Sequence, residues 1–355
     1  MIGINIVSVI VLLGILIFVH ELGHFLVAKA CGVGVTTFSL GFGPRIIGRK
    51  WGETEYRLSL VPLGGYVRLL GESAEDELCP EDAHRSFLAQ RVYTRIGIVA
   101  AGPVFNFLFA IIAFAIVFST GVPVVTTRVG EVKENTAAYE AGIQKGDVIT
   151  AIDGKQVSRW SELVDAVRES GGKPLVLSVK RDGAVKRMTI TPRPVKDRNL
   201  FGEEIESYQV GIGMSDESVV TRMNPARAVI RGLEETWSWV ELIFVVIMKM
   251  VQRVVPVSEL GGPILIAQMA GAQAQKGILS FIYFMAILSV NLGVLNLFPI
   301  PVLDGGHILF FLIEAVTGRE VSVKWREMAQ QVGFFLLIML TLLVFYNDIM
   351  RIING

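Results

Sequence analysis

Four long stretches of the chain contain no Lys, Arg, Asp or Glu. They are residues 1–20, 96–127, 277–303 and 328–347. A helix that crosses a bilayer needs roughly 20 mainly apolar residues, and a core helix of a soluble protein rarely runs so long without a charge. The pattern therefore predicts a polytopic α-helical membrane protein with about four transmembrane helices. We place these helices at residues 1–28, 96–121, 277–313 and 328–349.

A fifth apolar stretch, residues 237–251, is shorter and contains Glu241 and Lys249. Further charged residues flank it on both sides. This profile favours an amphipathic helix on the membrane surface, within residues 220–256, over a helix that crosses the bilayer. The spanning interpretation stays open as the alternative.

The charge pattern supports a membrane protein and indicates its orientation. The formal net charge is zero and 19% of the residues are charged, against about 25% in soluble domains, so nothing points to nucleic-acid binding. Residues 29–95 hold nine Lys and Arg residues, and none precedes the first predicted span. Because cytoplasmic loops are enriched in Lys and Arg, we predict that 29–95 is cytoplasmic. Both termini and the segment after the second span then lie outside.

That outer segment, residues 124–216, has the pattern of a folded domain. Short β-like runs surround one helical stretch at 161–170, and Asp-Gly pairs at 153–154 and 182–183 are typical of tight turns. The sequence TAAYEAGI at 136–143, followed by GDVI, resembles bacterial PDZ domains. The resemblance implies a domain that binds extended chain ends by adding them to a sheet edge. A generic β-sandwich is the alternative.

The first predicted span ends with the sequence His20-Glu21-Leu22-Gly23-His24. On a helix, residues four apart lie on one face, one turn apart, so both imidazoles can bind one metal ion. Glu21 can then reach a water on that metal, which is the HExxH arrangement of zinc proteases. The motif also occurs by chance. However, the chain has only four His, and ionisable groups at membrane depth are costly unless they are paired or functional.

A catalytic zinc takes a third protein ligand and leaves one position open for water. Asp304 is the first charged residue after the run 277–303, and Pro299 and Pro301 interrupt the helix just before it. Asp304 is therefore our candidate third ligand. A helix cap is the structural alternative for Asp304, and His307 is the alternative ligand.

Two motifs carry a resemblance to a known family. HELGH and the pattern Asn-x-x-Pro-x-Pro-x-Leu-Asp-Gly, which starts at Asn296, resemble the diagnostic motifs of the site-2 protease family of intramembrane zinc metalloproteases. GFGP at 41–44, GPVFN at 102–106 and the PDZ-like domain resemble its bacterial regulator of sigma-E protease group. Members of that group often carry two tandem PDZ domains, whereas this chain has room for one.

The resemblance implies a zinc metalloendopeptidase with His20, His24 and Asp304 as zinc ligands, Glu21 as catalytic base and Asn296 in substrate binding. It also implies a bacterial inner-membrane enzyme, with its PDZ-like domain in the periplasm. Its substrates would be single-span membrane proteins such as anti-sigma factors or signal-peptide remnants, cut in regulated intramembrane proteolysis.

The resemblance further implies that β-like segments within residues 29–95 form a membrane-associated sheet that pairs with unwound substrate. A surface hairpin without a substrate role is the alternative for these segments. For the whole protein we retain two other classes, a non-catalytic PDZ scaffold with structural zinc and a metal transporter. Structural zinc usually has four protein ligands, and transporters often show inverted repeats, so both classes fit less well.

Overall fold

The computed structural model describes residues 2–73, 79–199 and 201–354. They fold as two compact units. The first, which we call the membrane unit, comprises Met1–Val117, Pro225–Val251 and Val255–Gly355. The second, the inserted unit, comprises Phe118–Asn224 and Gln252–Val254. The inserted unit contains the segment 124–216 in which a folded domain is predicted.

The described helices, in chain order, are α1 (Ile2–Ala30), α2 (Val92–Thr120), α3 (Ala137–Glu140), α4 (Trp160–Glu169), α5 (Pro225–Val251), α6 (Pro263–Lys276), α7 (Ile278–Asn296), α8 (Asp304–Thr317) and α9 (Val323–Asn354). The described strands are β1 (Val35–Trp51), β2 (Thr54–Leu69), β3 (Val122–Val125), β4 (Val129–Val132), β5 (Val148–Ile152), β6 (Lys155–Gln156), β7 (Leu175–Arg181), β8 (Ala184–Ile190), β9 (Arg193–Arg198), β10 (Glu204–Gln209), β11 (Ile212–Met214) and β12 (Ser218–Thr221).

Four of the described helices are long and apolar enough to cross a membrane. They are Gly3–Ala30 of α1, all of α2 and α7, and Val323–Ile353 of α9. Each meets the roughly 20-residue length that a bilayer requires. Four described helices therefore have the length and composition that the prediction of four membrane helices requires.

The predicted third span, residues 277–313, consists of two helices. α7 ends at Asn296 and α8 begins at Asp304. The two prolines between them lack the backbone N–H that a continuous helix needs. The turn is tight, because a Cβ atom on Gly305 would lie 2.3 Å from the carbonyl oxygen of Leu297. The start of α8 is thereby held against the end of α7.

Helix α6 was not predicted from the sequence. Its 14 residues are too few to cross a bilayer, and it packs against α1 instead. A Cβ atom on Gly271 would lie 1.8 Å from Oδ1 of Asn5, so the two helices touch at a glycine. Ala270 also shares a buried apolar cluster with Leu12 and Leu16 of α1.

Helix α5 has two distinct faces. Ala228, Gly232 and Thr236 are buried at a spacing of four residues, whereas Trp237 and several other apolar side chains are exposed. A Cβ atom on Gly232 would lie 2.6 Å from the carbonyl oxygen of Ile111, so α5 packs closely on α2. Among the described helices, α5 is not one of the four that are apolar enough to span a membrane.

The β-like segments predicted within residues 29–95 form two long antiparallel strands, β1 and β2. Residues 37–40 of β1 pair with residues 65–68 and also with residues 55–58 of β2, while the second half of β1 pairs with the start of β2. The first half of β1 is therefore interior to the sheet, and residues 65–68 form one edge. At the far end of the hairpin, Ile47 and Trp51 are exposed.

The inserted unit contains a four-stranded sheet in the order β6-β5-β7-β8, with antiparallel neighbours. Ile149 and Leu177 from the sheet pack with Leu163 of α4 in the core of this unit. The Asp-Gly pairs at 153–154 and 182–183 connect adjacent strands, and all four residues have positive φ. That backbone conformation is required by the two-residue type I′ hairpin turn, so both turn predictions are confirmed.

Candidate metal centre

Two imidazoles face each other on the C-terminal half of α1. His20 and His24 are one helical turn apart, and their Nε2 atoms lie 3.2 Å from each other. The His20 residue is 9% exposed. A helix places residues i and i+4 on the same face, so the HExxH spacing alone accounts for this pair.

Asp304 joins the two imidazoles from the other end of the chain. It is the first residue of α8, so the break after α7 sets its position. Its Oδ2 atom lies 3.1 Å from His20 Nε2, and its Oδ1 atom lies 3.7 Å from His24 Nε2. Within the described residues, Oδ2 is buried and makes no hydrogen bond. A buried carboxylate oxygen without a hydrogen bond is costly, and a cation at this point would remove that cost.

The dimensions of the cluster fit a zinc ion. Atoms that bind a tetrahedral zinc at about 2.0–2.1 Å are separated from one another by about 3.3–3.4 Å. The two Nε2 atoms lie 3.2 Å apart, and each lies 3.1 or 3.7 Å from an oxygen of Asp304, with Oδ2 facing His20 and Oδ1 facing His24. Three protein ligands also leave a fourth position free, as a catalytic site requires.

Two further candidate residues from the sequence, His307 and Asn296, lie close to Asp304 in the chain. His307 follows on α8 and is not part of the three-residue ligand cluster found among the described residues. Asn296 is the last residue of α7 and is half-buried. The start of α8 has no side-chain cap hydrogen bond, so the geometry favours metal binding over capping for Asp304.

Glu21 contacts the edge of the β1–β2 hairpin. The backbone N–H of Val67 faces its carboxylate. A Cβ atom on Gly65 would lie 3.0 Å from Glu21 Cγ, so a side chain at this position would push against the glutamate. This contact was not predicted from the sequence. The available signal was the Gly64-Gly65 pair in an otherwise β-like run.

Helix α2 contacts the Nδ1 atom of both imidazoles. His24 Nδ1 lies 2.9 Å from the carbonyl oxygen of Ile98, and His20 Nδ1 lies 3.0 Å from Nδ2 of Asn106. Gly102 is midway between these two residues of α2. Because the spacing is four residues, all three lie on one helix face. The GPVFN motif contains two of these positions, but its spacing alone did not reveal their role.

Helices α1 and α2 approach closely because each presents a glycine. A Cβ atom on Gly23 would lie 2.4 Å from the carbonyl oxygen of Ala101, and one on Gly102 would lie 2.3 Å from His24 Nε2. Both distances are far below van der Waals contact. The glycine of HELGH, Gly23, is therefore required by the packing of the two helices.

Two imidazoles and a carboxylate surround one point, and a glutamate lies beside the first imidazole. This is the arrangement that an HExxH metalloprotease uses. Comparison with known proteins identifies the family. The sequence profile of peptidase family M50 matches residues 8–340. The chain belongs to peptidase family M50, and it is an intramembrane zinc metalloprotease.

Relatives match along almost the whole chain. The regulator of sigma-E protease RseP of Escherichia coli (strain K12) is 34% identical, with 98% of this chain and 99% of that protein covered. A protein of Agrobacterium fabrum whose name describes a zinc metalloprotease is 36% identical, with 98% and 96% covered. The first alignment runs over 448 positions, more than the 355 residues of this chain, so the Escherichia coli protein contains positions that this chain lacks.

Among solved structures, the PDZ domain of an SdrC-like protein from Listeria innocua is similar to part of the chain. It is 22% identical and covers 26% of this chain and 96% of the domain, with a TM-score of 0.21.

Proposed function

We propose that His20, His24 and Asp304 hold the catalytic zinc and that Glu21 is the general base. The observation that carries this proposal is the convergence of the three ligand atoms within 4.8 Å of one another. The buried Oδ2 atom of Asp304, which makes no hydrogen bond among the described residues, supports the presence of a cation there. When bound, zinc supplies Lewis-acid activation of water and of the scissile carbonyl group.

Glu21 moves the proton in this mechanism. Its carboxylate accepts a proton from the attacking water and then donates it to the leaving amine. The Val67 N–H faces the carboxylate and favours its charged form between these two transfers. Because this group belongs to the backbone, the hairpin supports the base without a further side chain.

The substrate class is a transmembrane helix of another membrane protein. A helix conceals its carbonyl groups in hydrogen bonds, so it must unwind locally before cleavage, and residues of low helix propensity favour this. Asn296, a half-buried amide at the end of α7, is our candidate for holding the unwound backbone. α1 begins at Ile2, so His20 lies roughly 27 Å along it at 1.5 Å per residue. The cut therefore falls nearer the cytoplasmic face.

The edge of the hairpin at residues 65–68 is the candidate surface for pairing with the unwound substrate. It lies beside Glu21, as the close approach of Gly65 to Glu21 Cγ indicates. An extended chain added to this edge would pass next to the base. Exposed apolar side chains at the far end, such as Ile47 and Trp51, favour contact of the hairpin with lipid.

The similarity to bacterial relatives supports a location in the bacterial inner membrane, and the charge distribution favours an orientation with a cytoplasmic hairpin. The Lys and Arg residues of the segment 29–95 support this orientation, and it puts the inserted unit in the periplasm. The two faces of α5, with Trp237 on the exposed one, support a position on the membrane surface. We propose that the inserted unit binds peptide segments of substrates or partners and limits access by bulky periplasmic domains.

One experiment tests the catalytic proposal. Purified full-length protein is incubated with a reporter that contains a single transmembrane helix, with and without a zinc chelator. Glu21→Gln is the matched variant, because it leaves all three ligands intact. We expect cleavage that the chelator stops, and no cleavage by Glu21→Gln at full zinc content.

Two outcomes would contradict the proposal. Cleavage that persists in the chelator would remove zinc from the mechanism, and substantial turnover by Glu21→Gln would remove Glu21 from the role of base. If the wild type binds zinc but cleaves nothing, the scaffold interpretation is favoured. If zinc crosses the membrane of liposomes that contain the protein, the transporter interpretation is favoured.

A further inference from the structure

Asn106 is a buried polar residue that the mechanism above does not use. It lies on α2 and is 0% exposed. One end of its amide, Nδ2, lies 3.0 Å from His20 Nδ1. The other end, Oδ1, is buried and has no hydrogen-bond partner among the described residues. A fully buried asparagine with one unpaired end is costly, so its orientation and purpose need an explanation.

The role of His20 as a ligand determines which atom must face Asn106. His20 Nε2 points towards Asp304 and His24, so Nε2 is the atom that would bind zinc. A neutral imidazole that binds through Nε2 carries its proton on Nδ1, and this N–H must donate to an acceptor. An amide nitrogen cannot accept that hydrogen bond.

Rotation of the amide by 180° gives His20 the acceptor that it needs, and it moves the amide NH2 group to the end that has no partner among the described residues. The oxygen and nitrogen of an amide are nearly the same size and are assigned from the hydrogen bonds they make. In the rotated form, Oδ1 lies where it accepts the His20 Nδ1–H, and it is no longer an unpaired acceptor. This rotation moves only the two ends of one side chain.

We infer that Asn106 is a positioning residue whose Oδ1 accepts a hydrogen bond from His20 Nδ1 and thereby fixes His20 in the tautomer that binds zinc through Nε2. This inference rests on the proposed role of His20 as a ligand. His24 obtains the equivalent support from a backbone group, the carbonyl oxygen of Ile98. One face of α2 therefore orients both imidazoles.

A purely structural role for Asn106 makes a different prediction. The backbone carbonyl oxygen of Asn106 accepts a hydrogen bond from Ser289 Oγ of α7 at 2.8 Å, and Ser289 is also 0% exposed. This contact joins α2 to α7 without involving His20. Ser289→Ala is therefore the matched control, since it disturbs the packing around Asn106 and leaves its amide intact.

The test measures zinc affinity of the full-length protein in detergent by competition with a chelator of known affinity. Asn106→Ala should weaken zinc binding by about ten- to a hundredfold, as loss of such supporting partners does elsewhere. Asn106→Asp should bind zinc at least as tightly as the wild type, because a carboxylate is also an acceptor. Ser289→Ala should retain the wild-type affinity.

Nitrogen-15 spectra of histidine provide a second readout, which is practical because the chain has only four His. In the zinc-loaded wild type, one imidazole signal assigned to His20 should show a protonated Nδ1, and only the Asn106 variants should alter it.

Three results would overturn the inference. They are wild-type affinity in Asn106→Ala, an equal loss in Asn106→Asp and Asn106→Ala, and an equal loss in Ser289→Ala and Asn106→Ala. If Asn106→Ala does not fold, Asn106→Asp alone decides, because loss of zinc there shows that a donor is required. If Glu21→Gln retains zinc but the wild type cleaves nothing, the proposed function fails while this inference is still tested by affinity.

Discussion

Substitution of Gly102 by alanine is the sharpest test of the packing around the metal centre. Gly102 lies on α2 between the two residues that support the imidazoles. Its added Cβ atom would lie 2.3 Å from His24 Nε2 and 2.7 Å from His20 Cε1. The added Cβ atom would clash with both imidazole rings on the side where the candidate ligand atoms converge. The substitution therefore acts on the site itself.

The size of the disturbance follows from these distances. Non-bonded heavy atoms reach their optimal separation at about 3.5 Å, so the His24 ring or the helix must move by about 1 Å. Zinc–ligand distances tolerate only about 0.2 Å. We therefore expect Gly102→Ala to lose His24 as a ligand and to weaken zinc binding by at least about a hundredfold, beyond the range for a lost supporting partner.

The assay is zinc content after dialysis against a chelator, together with cleavage of the single-span reporter. Gly97→Ala is the matched control on the same helix, because a Cβ atom there would meet nothing within 4 Å. Alanine is also a better helix former than glycine by about 1 kcal/mol. The control should therefore fold, retain zinc and cleave the reporter normally.

Full zinc content and normal cleavage in Gly102→Ala would refute this reasoning. That result would mean that α2 can move away from α1 without disturbing the imidazoles, so the close packing would not be part of the site. Equal loss in both glycine variants would point to a general effect of alanine on α2, which also contradicts the argument.

Three further predictions follow from the described contacts. Asp304→Asn should lower both zinc retention and cleavage, whereas full zinc content and rate would transfer the third-ligand role to His307 or another group. Burial raises the pKa of Asp147, but hydrogen bonds from Arg181 and from the Gln144 N–H outweigh it and leave the pKa lowered. The Asp147 carboxylate therefore stabilises the folded state at pH values above the pKa of an unfolded Asp, about 3.9. This stabilisation is lost as pH falls through the lowered pKa of the folded state. Protection of the β5 and β7 amides in the full chain, measured relative to the intrinsic exchange rate at each pH, should fall in that acid range, and Asp147→Asn should remove this loss of protection. Deletion of residues 126–214, replaced by a short linker, should leave zinc bound and reduce discrimination against substrates with bulky periplasmic domains. The measurement compares cleavage of two substrates that share one transmembrane segment, one with and one without such a domain. If the deletion abolishes cleavage of both substrates while zinc stays bound, this prediction is wrong.

Much of the architecture could be predicted because it is encoded locally. The four membrane helices follow from uncharged runs of sufficient length, and the Asp-Gly turns follow from the conformational needs of two adjacent residues. The pairing of His20 with His24 follows from one turn of helix. In each case the determining contacts lie within a few residues of one another, so their spacing in the chain carries the information.

The amphipathic segment shows where this local reasoning stops. The polar and apolar positions of α5 predict a helix with one buried and one exposed face, and α5 has these two faces. The pattern does not say that Gly232 packs on the carbonyl oxygen of Ile111. α6 was missed altogether, because 14 residues are too few for a membrane signal and its partner α1 lies far away in the sequence.

Asp304 was identified from its motif, but only the tertiary structure brings it within 3.1 Å of His20 Nε2. The same holds for the support given by Asn106 and for the contact between Val67 and Glu21. These contacts join elements that are distant in the chain, and no helical or strand period records which elements pack together. The sequence determined which residues have the chemistry to bind zinc and move a proton. The packing of α2 and the hairpin against α1, and the break before α8, decided how those residues are oriented.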